Sequence, residues 1–266
     1  MKEISFNECQ KVELDILKDV ASFCDDHKLT YFLTYGTLLG AIRHQGFIPW
    51  DDDIDISMPR PDYNKFAHLY NSKRIGSDYY AVAPFSEMSR HPFIKVINLK
   101  TVKIEPGLHY EKDGELGVDI DIFPIDGQPE DYNDFLKKTR KIRRLNLILN
   151  YKNSTRTGRS WKGVLFWYFC KIFSKKMIAN RLNNIFHQQE YEDATYVGSY
   201  CARYDSLNSW HEKSLFDERV HVEFEGLKFW APKRYDQFLR EIYDDYMKLP
   251  PIEEQKTHHS NKTFWK

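Results

Sequence analysis

Pro49-Trp50-Asp51-Asp52-Asp53-Ile54-Asp55-Ile56 sets four carboxylates within five positions at the start of a run that reads as a buried strand. Carboxylates are almost never buried unless something compensates them. Strand side chains alternate faces, so Asp53 and Asp55 project together on one side while Ile54 and Ile56 project on the other. Two anions held side by side repel unless a cation lies between them. An oxygen-only ligand set favours magnesium, which takes one or two protein carboxylates and completes its shell with water and substrate phosphates. A solvated acidic turn is the competing reading, and the apolar alternation that follows the run counts against it.

Upstream, Leu29-Thr30-Tyr31-Phe32-Leu33-Thr34-Tyr35 reads as a strand and runs straight into Gly36-Thr37-Leu38-Leu39-Gly40-Ala41-Ile42-Arg43, which has a helical pattern. A helix that opens at a glycine leaves free N–H groups where its dipole favours an anion, so this turn is a place for a phosphate. Gly36 admits close approach, Thr37 adds a hydroxyl donor, and Arg43 offers a planar fork to a diphosphate. Downstream, Gly117-Val118-Asp119-Ile120-Asp121-Ile122-Phe123-Pro124-Ile125-Asp126 alternates strictly, with Asp119 and Asp121 on one face and Val118, Ile120 and Ile122 on the core face. Paired beside the Asp53/Asp55 strand, Asp121 completes the metal site or takes a proton from an attacking hydroxyl. An edge strand with a polar outer face is the alternative. Lys95, on a strand between the acidic blocks, either faces the phosphates or is an ordinary exposed strand lysine.

These residues carry a resemblance. The stretch from Tyr35-Gly36-Thr37 through Phe47-Ile48-Pro49-Trp50 to Asp55 resembles the signature of the LicD family of phosphocholine transferases, to which fukutin-type enzymes are related. Asp119 to Asp126 is similar to the family's second acidic block. Phe224-Glu225-Gly226 through Ala231-Pro232, with Tyr246-Met247-Lys248-Leu249-Pro250-Pro251, is similar to its C-terminal block. Asp244 stands where the family commonly has Gly. The resemblance implies an α/β (α+β) fold with a polymerase-β-like nucleotidyltransferase core, a mixed sheet with helical elaboration. It also implies a magnesium-dependent transfer, with manganese as substitute, of phosphocholine from CDP-choline to a sugar hydroxyl of a bacterial surface glycan (teichoic acid or lipopolysaccharide), releasing CMP. Asp53, Asp55 and Asp121 are the expected catalytic and metal residues. Gly36, Thr37, Leu38, Arg43, Lys95 and Asp119 are the expected substrate contacts. Transfer of phosphoribitol, phosphoglycerol or a nucleotide, and a catalytically silent nucleotide-binding scaffold, stay open as alternatives.

The 266 residues suffice for one core with a helical elaboration: a nucleotidyltransferase-like part over 1–126, a helical insertion over 127–210, and a C-terminal hairpin, helix and tail over 211–266. Lys and Arg together number 39, as do Asp and Glu, so no global charge points to nucleic acid. Cys9, Cys24, Cys170 and Cys201 show no CxxC pairing, and the N-terminus opens on a helix with a Ser5-x-x-Glu8 capping box, which implies a reducing cytoplasm. Two segments raise the question of peripheral contact at the inner face of the plasma membrane, where a lipid-linked glycan acceptor is expected. The basic run 137–144 reads as a solvated helix face or a contact with anionic lipid. The aromatic run 161–173 reads as a core helix or an interfacial one, too short to span a bilayer. His258 and His259 are adjacent, which is not a ligand-pair spacing, and fall in what reads as a disordered tail.

Overall fold

The computed structural model describes residues 1–89, 91–104, 116–153, 159–201, 209–257 and 262–266. It begins with a short strand β1 (Lys2–Glu3) and a long helix α1 (Phe6–Asp26), whose first turn is closed by the expected capping box of Ser5 and Glu8. The residues Val12, Ile16, Leu17, Val20 and Cys24 of α1 recur at helical spacing and are buried, which presses the helix onto the sheet. There follow β2 (Phe32–Leu33), α2 (Tyr35–His44), β3 (Asp55–Pro59) and α3 (Arg60–Lys73), with Pro61 in the first turn of α3, where its missing N–H costs nothing. The strands β4 (Tyr79–Val82), β5 (Ile94–Asn98), β6 (Thr101–Ile104) and β7 (Asp119–Gln128) come next.

The main sheet runs β2-β3-β7-β5-β4, with β3 and β7 parallel and the other neighbours antiparallel. This is the mixed sheet expected of the fold, and β7 is a central strand rather than an edge. Ile54, Ile56, Ile120 and Ile122 are fully buried between sheet and helices, each contributing about 1.5–3 kcal/mol relative to exposure. A proline inside a central strand needs a reason. The N–H of Asp121 donates to Ile54 O, just before β3, so by alternation position 124 faces the other side, where β5 has already ended at Ile94 opposite Ile122. Pro124 therefore removes no ladder bond.

After β7 come α4 (Tyr132–Asn153), α5 (Trp161–Lys171) and α6 (Lys175–Phe186), which gather a second core around Phe123, Phe135, Leu182 and Phe186. Short strands β8 (Tyr196–Gly198) and β9 (His211–Glu212) extend the far end of β7. The hairpin of β10 (Arg219–Phe224) and β11 (Leu227–Pro232) turns at Glu225 and Gly226, both at positive φ as a two-residue turn requires. Helix α7 (Tyr235–Tyr243) stops at Asp244, whose φ of 53° lies in the region that favours glycine.

The tail departs from expectation. Strand β12 (Lys262–Trp265) lies between β1 and β6 in a separate three-stranded sheet, because Thr263 and Trp265 turn inward and find two open edges to satisfy. His258 and His259 lie outside the described residues. The aromatic helix α5 is not a core helix either: Trp161, Leu165, Tyr168 and Phe169 are exposed. All four cysteines are free thiols.

Candidate active site

Pairing of β3 with β7 puts Asp55 directly beside Asp121, and pairing of β7 with β5 puts Asp121 directly beside Lys95. Residues in register across a sheet share a face, so the three strands present Asp55, Asp121 and Lys95 as one row. Lys95 is thus not an exposed strand lysine. It is buried, and its Nζ donates to Asp121 Oδ1 and to Asp119 Oδ2, each at 2.5 Å. Asp119 is also buried and accepts a second ammonium, Lys103 of β6, at 2.8 Å. Burial works against ionisation of Asp119, but Lys103 and Lys95 outweigh it and hold its carboxyl below the usual range. Asp119 consequently serves to anchor two lysines, and Asp121 is the member of the pair that faces Asp55.

The carboxyls around the row behave differently. Burial, then the charges of Asp53, Asp121 and Asp51, push Asp55 well above the usual carboxylate range, with Lys95 opposing. Burial pushes Asp121 up to about 6 against the pull of Lys95. Burial, reinforced by the charge of Asp53 and a hydrogen bond with it, pushes Asp51 up to about 8. Each of these groups is short of positive charge.

The glycine turn meets the row at its edge. Thr37 Oγ1 accepts the Asp55 N–H at 2.8 Å, and the Thr34 N–H donates to Asp55 O at 3.2 Å, so the first turn of α2 is tied to the strand that carries the acids. Tyr35, at the join, has φ 45°, a strained value for a non-glycine residue. A Cβ placed on Gly36 would come within 2.6 Å of Asp51 Oδ2. Gly36 therefore already admits one acidic side chain, that of Asp51, to the start of α2. Gln10 of α1 holds the Asp51 carbonyl at 3.0 Å and keeps that loop in place.

Two expected substrate contacts are placed elsewhere. Leu38 is fully buried in the core, and its N–H is spent on Thr34 O, so neither its side chain nor its amide is presented at the turn. Apolar residues of a helix that packs on a sheet point away from its ligand end. Arg43 Nη1 donates to Tyr246 O at 2.7 Å and Lys248 O at 3.3 Å, which binds α2 to the C-terminal block. The rest of that block has a similar use: Glu225 Oε1 accepts the Phe47 N–H, and the Glu225 N–H donates to Gln45 O. The loop that delivers the acidic run is clasped from both sides.

Three members of the group went unread in the sequence. Asp51 was quoted within its run, without a role. Lys103 sits on a strand assigned no function. Glu13 is buried on α1 with its Oε2 lacking a protein hydrogen-bond partner, and burial pushes it well above the usual range, with Lys103 opposing and Asp53 and Asp119 adding to the shift. Its signal was available: Glu13 precedes Leu17, Val20 and Cys24 at four, seven and eleven positions, on the buried stripe.

Among the described residues, no group of three or more His, Cys, Asp or Glu side chains is gathered closely enough to hold a metal ion as it stands. Asp53, Asp55 and Asp121 are brought to one place without closing on a common centre, and Lys95 engages Asp121. The donor set nonetheless fits magnesium in kind. It consists of carboxylate oxygens, it carries more anions than Lys95 and Lys103 neutralise, and its Asp51, Asp55 and Asp121 carboxyls are raised by crowding that a hard cation relieves.

Residues 28–140 match the family described as LicD/FKTN/FKRP, nucleotidyltransferase domain. The chain is 29% identical over 272 aligned residues to the lipopolysaccharide cholinephosphotransferase LicD of Haemophilus influenzae, covering 99% of both chains. A shorter stretch of 54 residues is 41% identical to an uncharacterized protein of Rickettsia typhi, covering 20% of this chain and 18% of that one.

Proposed function

Because the chain carries a LicD-family nucleotidyltransferase domain, we propose that it moves phosphocholine from CDP-choline to a sugar hydroxyl of a bacterial surface glycan precursor, releasing CMP. The observation that carries this reading is the Asp55–Asp121–Lys95 row set against the first turn of α2. The full-length similarity to a lipopolysaccharide cholinephosphotransferase supports the choice of alcohol and of a lipopolysaccharide-type acceptor over teichoic acid.

Phosphoryl transfer asks a protein for positioning and charge neutralisation more than for covalent chemistry. The N-terminal turn of α2 receives the diphosphate of the donor, and Asp51, which lies against Gly36, gives way to it. Asp53, Asp55 and Asp121 would hold magnesium or manganese. The chemistry such an ion supplies when bound is neutralisation of diphosphate charge. Lys95 holds Asp121 in place, and Asp121 accepts the proton of the acceptor hydroxyl as the hydroxyl oxygen bonds to the phosphorus of phosphocholine and the phosphorus–oxygen bond to CMP breaks. Burial raises the Asp121 carboxyl to about 6 against the pull of Lys95, nearer neutrality than an ordinary carboxylate, which suits a general base.

The test is CMP release from CDP-choline, CDP-ribitol and CDP-glycerol, with a lipopolysaccharide acceptor and magnesium. Acceptor-dependent CMP from CDP-choline, abolished in Asp55→Asn, is expected. Preference for another CDP-alcohol would reassign the alcohol, and silence with every donor would remove the reading.

A further inference from the structure

From Phe135 to Gln189 the chain carries fourteen Lys and Arg residues and no Asp or Glu, in a protein whose 39 cations and 39 anions balance. That stretch includes most of α4 and all of α5 and α6. Its positive charge is therefore local, and the remainder of the chain is correspondingly acidic. On α4, Arg140, Lys141 and Arg144 are exposed on one face, next to Lys137, which is paired with Asp134 at 2.7 Å, while Lys162 and Lys171 are exposed on α5.

Between those two lysines α5 leaves a stripe of large apolar side chains uncovered. Trp161, Leu165, Tyr168, Phe169 and Ile172 are 47–78% exposed and fall at i, i+4, i+7, i+8 and i+11, a single helical face. The opposite face is the packed one: Phe166 meets the Tyr151 ring of α4 at 4.8 Å, and Cys170 is buried. A stripe of exposed large apolar side chains along one helical face marks a surface that something covers. No described helix is long and apolar enough to cross a membrane, and eleven residues reach only about 16 Å. A short helix with Trp and Tyr on its apolar face and cations at its ends suits the headgroup boundary of a bilayer, where aromatic rings and lysine stems are both at home.

We infer that α5, with the basic surface of α4, is a docking face for an anionic lipid bilayer, α5 lying in the plane of the headgroups. Charge complementarity selects this occupant: a surface on which Arg140, Lys141, Arg144, Lys162 and Lys171 are exposed, in a stretch of sequence without Asp or Glu, repels a second copy of itself, whereas each cation near an anionic surface adds to the attraction. The inference concerns the surface alone and holds whichever phospho-alcohol is moved.

Sedimentation of the full chain with sucrose-loaded vesicles tests it, using pure phosphatidylcholine against phosphatidylcholine with one-third phosphatidylglycerol. Binding to the anionic vesicles only, reduced by salt and accompanied by a blue shift of tryptophan fluorescence, is expected. Trp161→Ser with Ile172→Ser should lower the partition coefficient at least tenfold. Neutralising Lys141, Arg144, Lys162 and Lys171 to Ser should lower it on the order of a hundredfold. All six side chains are exposed, so both variants should keep the wild-type melting temperature. Absence of vesicle binding, or equal binding to neutral vesicles, would overturn the inference. So would a dimer in light scattering that the stripe variant abolishes, which assigns the stripe to a second copy, or binding of RNA without binding of vesicles, which assigns the basic face to nucleic acid.

Discussion

Gly36 has two groups to accommodate at different times. Asp51 Oδ2 sits 2.6 Å from where a Cβ would stand, and the proposed donor diphosphate needs the same turn. Gly36→Ala should therefore lower kcat/KM by 10-fold or more, and the cause can be separated. In an Asp51→Ala background the alanine no longer meets the carboxylate, so any additional loss it still causes there measures its conflict with the diphosphate; equal losses in both backgrounds would show that Asp51 is irrelevant to the glycine. Lys138 is a second residue whose burial has a measurable consequence. Its Nζ has no protein hydrogen-bond partner and lies over the Tyr200 ring, and burial pushes the ammonium down to about 8 against the pull of Asp126. An unfolded lysine titrates near 10.4, so below pH 8 the folded state carries an ammonium it disfavours, and between 8 and 10.4 the unfolded state holds more protons, making this residue's contribution to stability rise with pH. Lys138→Met should accordingly stabilise the protein at pH 7 by about 1–3 kcal/mol. The gain should shrink towards zero by pH 10, read as the difference in urea midpoint between variant and wild type, because the buried thiols titrate in the opposite sense in both.

At the scale of elements, β7 shows what alternation conveys and what it does not. The period of two puts Asp119 and Asp121 on one face, while alternation alone left an edge strand open against pairing with the Asp55 strand, which the structure shows. The division of labour between the two aspartates did not follow, because it is set by Lys103, which reaches Asp119 from a different sheet. Likewise, the glycine turn was legible from a strand that stops at Gly36, but Arg43 was not, since its partners, the carbonyls of Tyr246 and Lys248, lie two hundred residues away. Local pattern reports which face a residue takes, and tertiary approach decides what meets it there. The aspartates offer the test. Asp119→Asn leaves Lys103 a buried ammonium without its carboxylate, and should cost about 3–5 kcal/mol in denaturant unfolding. Asp121→Asn leaves Lys95 paired with Asp119 and should change stability by less than about 1 kcal/mol, while lowering turnover roughly 10²–10⁴-fold. Equal destabilisation by the two, or a fully active Asp121→Asn, would contradict the assignment.

Across the whole molecule the ionic interior is held shut from the ends of the chain. β12 is the middle strand of β1-β12-β6, so residues near both ends close a small sheet on β6, and Lys103 on β6 lies opposite Thr263. Thr263 Oγ1 in turn approaches Cys9 Sγ on α1 at 3.8 Å, one helical turn before the buried Glu13. The position of the lysine that holds Asp119, and through Asp119 and Lys95 the catalytic candidate Asp121, thus depends on a strand of four residues. Removing residues 262–266 deletes the hydrogen bonds β12 makes to two neighbours and uncovers the edge of β6. The loss should be about 2–4 kcal/mol at roughly 0.5–1.5 kcal/mol per bond, less what water returns to the freed edges, or a fall in Tm on the order of 5–15 °C for a chain of this size. A merely structural tail would stop there. If the strand fixes Lys103, turnover measured well below the new Tm should fall as well, and Thr263→Pro, which breaks the β12 ladder while keeping the chain length, should reproduce both effects. A truncated protein that melts lower yet turns over at the wild-type rate would show that Asp121 is positioned by the main sheet alone.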